Sequence, residues 1–173
     1  MDASSGEAYA VPGFIFRKPR LEDGAGIFTL VKNSKPLDAN SLYSYLILTA
    51  HFGDTCIVVE QKSEIVGYIS AYIHPGKKDT LFVWQVAVGE GVRQKGVGMS
   101  MLMQLLKRDC LASIRWLETT VTPSNGSSAR LFHSLARKLN TSCHTSAFFP
   151  RDLFEGQSHE EEVLFRIGPF SKY

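Results

Sequence analysis

No run of about 18 apolar residues occurs in this 173-residue chain, so no membrane-spanning helix is expected. The first eleven residues lack the basic and apolar regions of a signal peptide. Residues 1–12 read as a disordered lead-in, and residues 13–173 have the length of a single domain. Charge of one sign is scarce too. A net +2, with no basic stretch, argues against a nucleic-acid-binding surface. Cysteine occurs only at Cys56, Cys110 and Cys143. The three lie far apart, at no metal-ligand spacing, and an odd number builds no disulfide framework. They read as buried, reduced thiols of a cytoplasmic protein. There is no internal repeat and no low-complexity linker.

What is present alternates between two periodicities. Phe14 to Arg17 is a short strand, and Leu21 to Lys32 a short helix with Ala25, Ile27, Phe28, Leu30 and Val31 as apolar positions. Asp38 opens a second helical stretch, with Leu42, Tyr45, Leu46 and Thr49 at helical spacing. Cys56 to Glu60 and Ile65 to Ile73 form a hairpin around the polar turn at 61–64. Leu81 to Val88 follows as a mostly apolar, central strand. After the glycine-rich stretch 89–98, a helix from Met99 onward places Leu102, Met103, Leu106 and Cys110 on one face. Trp116 to Val121 is a strand, Ser127 to Leu139 a helix, and His144 to Phe148 and Val163 to Ile167 are two last strands. The expected order is β-α-α-β-β-β-α-β-α-β-β, an α/β (α+β) mixed sheet flanked by helices.

The sharpest chemical signal is Arg93-Gln94-Lys95-Gly96-Val97-Gly98, between an apolar strand and an amphipathic helix. A helix N-terminus presents unpaired N–H groups and partial positive charge. Glycines let a phosphate come close to that backbone, and Arg93 and Lys95 add positive charge. The segment has neither the GxGxxG spacing of a dinucleotide-binding turn nor the GK[ST] of a P-loop. It resembles the R/Q-x-x-G-x-G/A motif with which acetyl-CoA-dependent N-acetyltransferases, the GNAT superfamily, grip the pyrophosphate of coenzyme A.

That resemblance extends from about residue 14 to residue 168. It implies a GNAT fold in which Val86, Ala87 and Val88 lend backbone groups to the pantetheine arm and residues 93–98 hold the pyrophosphate. Asn125, opening the next helix, and Phe132 complete the coenzyme side. Longer strings are similar to diaminobutyrate acetyltransferases. These are Asp38-Ala39-Asn40-Ser41 on to Tyr45, the strand Asp79 to Val88, Glu118 to Asn125, Phe148-Phe149-Pro150, and the tail from His159 to Phe170. This narrower resemblance implies acetyl transfer from acetyl-CoA to the γ-amine of a small diamine, L-2,4-diaminobutyrate. It further implies a role in ectoine biosynthesis, no metal, a cytoplasmic location and a homodimer.

A diamine acceptor needs anionic partners for its ammonium groups and a donor for its carboxylate. Asp38 is the first candidate for an ammonium, although an Asp before a helical stretch is equally a good N-cap. Tyr43 is a candidate for the acceptor channel. Trp84 could wall the amine by cation–π attraction or be a core tryptophan. Gln85 points to the opposite side of that strand. Glu118 with Thr120, or Thr119 with Val121, could face the cleft, and Thr120 is taken as the candidate. In the run His159 to Glu162, Glu160 could hold an ammonium and His159 the carboxylate; the run is otherwise a solvated loop. No second histidine stands at ligand spacing, so a metal is rejected.

One departure from the superfamily matters. Many members place a tyrosine seven positions after the helix-opening Asn, as general acid for the leaving thiolate, and here that residue is Phe132. Phenylalanine cannot donate a proton, so His133, a water or another tyrosine, with Tyr43 as the candidate, must serve, or the thiolate leaves unassisted; the acid is unassigned. Other readings stay open at this level: an acetyltransferase for another small amine or a protein lysine, or a coenzyme A-binding sensor without turnover.

Overall fold

The computed structural model describes residue 9, residues 11–155 and residues 158–171. Most of the expected lead-in, residues 1–8 and 10, lies outside the described residues. The elements come in the expected order: β1 Ile15–Arg17, α1 Gly24–Lys32, α2 Leu42–Phe52, β2 Ile57–Gln61, β3 Glu64–Ile73, β4 Thr80–Val88, α3 Val97–Leu106, β5 Trp116–Val121, α4 Gly126–Lys138, β6 Cys143–Phe149 and β7 Glu162–Ile167. The strands form one mixed sheet in the order β1-β2-β3-β4-β5-β7-β6. The chain divides into two compact units, and β4 belongs to both: it is shared at Trp84 and Gln85.

The first unit takes residues up to Tyr72 together with Gln85–Ala112. β1, β2 and β3 pair antiparallel in sequence order. Ile27, Leu30 and Val31 of α1 and Tyr45 and Leu48 of α2 bury their side chains with Val58, Tyr68 and Ala87 of the strands. Burial of such side chains is the main force holding helices on a sheet. α3 buries Val97, Met101, Leu102, Leu105 and Leu106. It comes so close to the strands that a Cβ on Gly67 would lie 2.9 Å from Val59 Cγ2 and 3.1 Å from Met101 Sδ, so only glycine fits there. Arg17 of β1 forks onto Asp23, just before α1, at 2.7 and 2.8 Å, and also reaches Glu60 of β2 at 2.8 Å. Burial alone would raise the Asp23 carboxyl, but the Arg17 fork and the Arg20 N–H hold it below the ordinary carboxylate range.

The second unit takes Ile73–Trp84 and the chain from Ser113. β4 and β5 run parallel, with Thr80 opposite Trp116 and Val83 opposite Thr119. β7 pairs antiparallel with both β5 and β6. α4 buries Phe132, Leu135 and Ala136.

Several expectations are corrected. α2 does not open at Asp38: it starts at Leu42, capped by Ser41, whose hydroxyl accepts the Ser44 N–H at 3.2 Å. α3 starts at Val97, two residues before the expected Met99, because Gly98 is already helical. It ends at Leu106, so Cys110 lies in a separate turn and is exposed rather than on the apolar face. Of the three thiols, all free, only Cys56 is buried; Cys143 is half-buried.

Candidate active site

The glycine-rich loop is built as a phosphate-binding turn requires. Gly96 is the N-cap of α3 with φ +78°, in the left-handed region that favours glycine. A Cβ there would meet no atom within 4 Å, so the space beside it is open. Arg93, Gln94, Lys95 and Gly96 are all exposed, while Val97 turns into the core at 1% exposure. The first N–H groups of α3 therefore start at an exposed, cationic turn. Arg93 Nε donates to the Val88 carbonyl at 3.2 Å, which ties the loop to the end of β4. On β4 itself Ala87 is buried and Val86 and Val88 half-buried. The expected coenzyme residues of this unit, Val86 to Val88 and Arg93 to Gly98, are thus continuous along one strand–turn–helix.

The same unit carries Asp38, Tyr43 and Gln85. Asp38 and Tyr43 are exposed. Gln85 is buried, and both ends of its amide are occupied by the protein. Its Nε2 donates to the Asp38 carbonyl at 2.8 Å, and its Oε1 accepts from the Tyr45 hydroxyl at 3.2 Å. The Tyr45 oxygen accepts the Asn40 N–H at 3.1 Å. Gln85 therefore has one N–H and one lone pair of its amide engaged by the protein itself. No local pattern marks these bonds, since the partners lie 40 and 47 positions from Gln85.

In the second unit Trp84 is 44% exposed, which overturns a core role. Of the polar residues on β5, Glu118 is not open to a ligand. It is 3% exposed, with Lys77 Nζ at 2.9 Å and Arg166 Nε at 3.5 Å. Arg166 in turn lies over the Trp116 ring at 4.2 Å. Thr119 is buried and Thr120 half-buried. Asn125 caps α4 by accepting the Ser128 N–H at 3.1 Å, so its amide oxygen has a structural task. Phe132 is 2% exposed, a core residue. His133 is exposed, its ring 5.3 Å from that of Phe165.

The acidic run before β7 is folded on itself. The Glu160 carboxylate accepts from the Ser124 N–H at 3.2 Å and from the Ser124 hydroxyl, so it holds the β5–α4 turn. His159 stacks on Phe154 at 4.1 Å, its Nδ1 donates to the Glu160 carbonyl, and its Nε2 faces Glu162 at 3.6 Å. Ser124 was not singled out in the sequence, and Glu162 only as part of the acidic run. Spacing alone does not mark Ser124, 36 positions from its partner. Among the described residues no group of three His, Cys, Asp or Glu side chains could hold a metal ion, and no helix is long and apolar enough to cross a membrane.

The chain is similar to known proteins in sequence and in fold. The Acetyltransferase (GNAT) family model matches residues 25–136. The L-2,4-diaminobutyric acid acetyltransferase of Marinococcus halophilus is 47% identical, over 94% of this chain and 94% of its own. That of Bordetella parapertussis is 43% identical, over 98% of this chain and 92% of its own. Among solved structures, diaminobutyrate acetyltransferase EctA from Paenibacillus lautus, in complex with its substrate L-2,4-diaminobutyric acid and coenzyme A, superposes with a TM-score of 0.89 at 38% identity, covering 92% of this chain and 97% of that one. The chain belongs to the GNAT acetyltransferase family and, within it, to the L-2,4-diaminobutyric acid acetyltransferases.

Proposed function

We propose that this chain transfers acetyl from acetyl-CoA to the γ-amine of L-2,4-diaminobutyrate, giving N-γ-acetyl-diaminobutyrate, the precursor of the osmolyte ectoine. The observation that carries the reading is the similarity, over 92% of the chain, to an enzyme whose structure holds both that diamine and coenzyme A. The open, cationic turn at Gly96 supports the coenzyme half of it.

In the reaction the γ-nitrogen, once deprotonated, attacks the thioester carbonyl. A C–N bond forms, the C–S bond breaks, and the coenzyme A thiolate takes up a proton. The α-amine is the weaker base and deprotonates first in water, so the site must overrule that preference. Asp38, exposed and three positions before the Ser41 cap, is proposed to hold the α-ammonium charged, and a charged amine cannot attack. Trp84 offers an exposed ring for cation–π attraction. Glu160, exposed and bonded to Ser124, is proposed as a second partner for the ammonium, and His159 as the contact for the substrate carboxylate. Phe132 donates no proton, so the thiolate is protonated by His133, by Tyr43 or by a water, or leaves unassisted.

We further propose one catalytic domain, a cytoplasmic location, where acetyl-CoA is available, and a homodimer. The family match runs through both compact units, which supports the first. β6 ends the sheet with residues 144–149 exposed, and such an aromatic edge, with Phe148 and Phe149 more than two-fifths exposed, suits pairing with a second copy. Thiol release from acetyl-CoA with diaminobutyrate, ornithine, lysine and a lysine-bearing peptide tests the acceptor class. Diaminobutyrate should give the highest kcat/KM. A preference for the peptide, or no thiol release with any amine, would contradict the reading.

A further inference from the structure

The buried face of β4 shows Leu81, Val83 and Ala87, each fully buried and apolar, and between them stands a glutamine. An apolar side chain would suit the position better, unless the amide has work to do. Its two hydrogen bonds converge on one short segment. Gln85 Nε2 donates to the carbonyl of Asp38, and through the Tyr45 hydroxyl its Oε1 connects to the N–H of Asn40. Both anchor points flank the same stretch, so the orientation of the backbone from residue 38 to residue 40 is fixed from inside. The relay is rigid. Tyr45 is fully buried, with its ring edge-on to Tyr68 at 6.1 Å and tilted against Phe28 at 6.4 Å.

We propose that Gln85 and Tyr45 form a positioning brace that aims the Asp38 carboxylate at the substrate ammonium. Neither residue touches the acceptor; both act through the Asp38–Asn40 backbone. The inference rests on the reading of Asp38 as the amine contact. A loop carrying a charged contact loses selectivity when its position is loose, because the geometry of the hydrogen bond decides its strength. Preorganisation of this kind acts on acceptor binding and leaves the coenzyme loop untouched.

The test uses Gln85→Met and Tyr45→Phe in the whole enzyme, with Asp38→Asn as reference. Each brace variant removes two of the network's three hydrogen bonds; the share felt at the acceptor should raise the diaminobutyrate KM roughly threefold to tenfold, on the order of one neutral hydrogen bond, while the acetyl-CoA KM changes by less than about twofold. Because the brace acts through Asp38, the double variant Asp38→Asn/Gln85→Met should be no worse for diaminobutyrate than Asp38→Asn alone. Normal diaminobutyrate KM in both brace variants beside an impaired Asp38→Asn enzyme would overturn the brace and leave the Asp38 contact standing. Losses that multiply in the double variant would do the same. An unimpaired Asp38→Asn enzyme would instead remove the contact itself, and the brace with it. Should Gln85→Met fold poorly, Tyr45→Phe keeps the ring in place. Loss of coenzyme A affinity in both variants would assign the network to overall folding and overturn the proposal.

Discussion

Ser41, three positions after Asp38, accepts the N–H that a helix cap must satisfy. The two tasks that the sequence assigned to Asp38 are therefore separable in a single variant. Asp38→Asn should lower kcat/KM for diaminobutyrate by roughly 10- to 150-fold, the range for losing a hydrogen bond to a charged group, far more than it lowers the melting temperature. Steady-state kinetics with a thermal melt checks both halves; normal kinetics would remove Asp38 from the site. Phe132 makes the opposite case. Its side chain is buried, so Phe132→Leu should cost on the order of 1–2 kcal/mol in stability. It should lower turnover only a few-fold. A well-folded variant slowed by about 10³-fold, the upper part of the range for general acid catalysis, would mean that the position takes part in the chemistry.

At the scale of elements, the turn into α3 is the most informative piece. Gly96 combines a positive φ with open space, so two substitutions separate backbone strain from steric blocking. Asn tolerates the left-handed region and Val does not. Gly96→Asn should therefore keep the fold and still raise the acetyl-CoA KM, since its side chain enters the space where a phosphate approaches. Gly96→Val should lose stability as well. Unchanged acetyl-CoA kinetics in a folded Gly96→Asn enzyme would sink the assignment of the loop.

Elements with strong local signals were legible in the sequence. β5 has the expected bounds, because a β-branched run is closed by Pro123, and α4 matches within one residue at each end. The α3 start was misread because Gly98 looks like a turn residue and is helical. Asp38 and Ser41 are both good cap types, and only the observed bond tells them apart. The proposed coenzyme loop stands out in the sequence because all its parts are contiguous. The acceptor side does not, because its polar residues are claimed by partners far along the chain: Glu118 by Lys77, Glu160 by Ser124, Gln85 by Asp38. Spacing carries no record of such pairings.

At the scale of the whole molecule, stability should depend on acid through the Arg17–Asp23–Glu60 cluster, which joins β1, β2 and the entry to α1. The Asp23 carboxyl is held below its ordinary value in the folded chain, so its contribution is present above the unfolded carboxylate pKa and is lost as pH falls through the folded one. Asp23→Asn should lower the melting temperature at pH 7, and the gap to the parent should begin to narrow once pH drops below about 4, the ordinary range for Asp. A gap that stays constant down to pH 3 would contradict this.

The central claim is that one chain binds acetyl-CoA and a short diamine and directs acetyl to the nitrogen that is intrinsically less available. The most direct measurement is NMR of the product formed from acetyl-CoA and L-2,4-diaminobutyrate, read at the methylene beside the γ-nitrogen and at the α-carbon. The account predicts a single product with the amide on the γ-nitrogen. An α-acetylated product, a mixture, or no product in a folded enzyme that binds coenzyme A would contradict it.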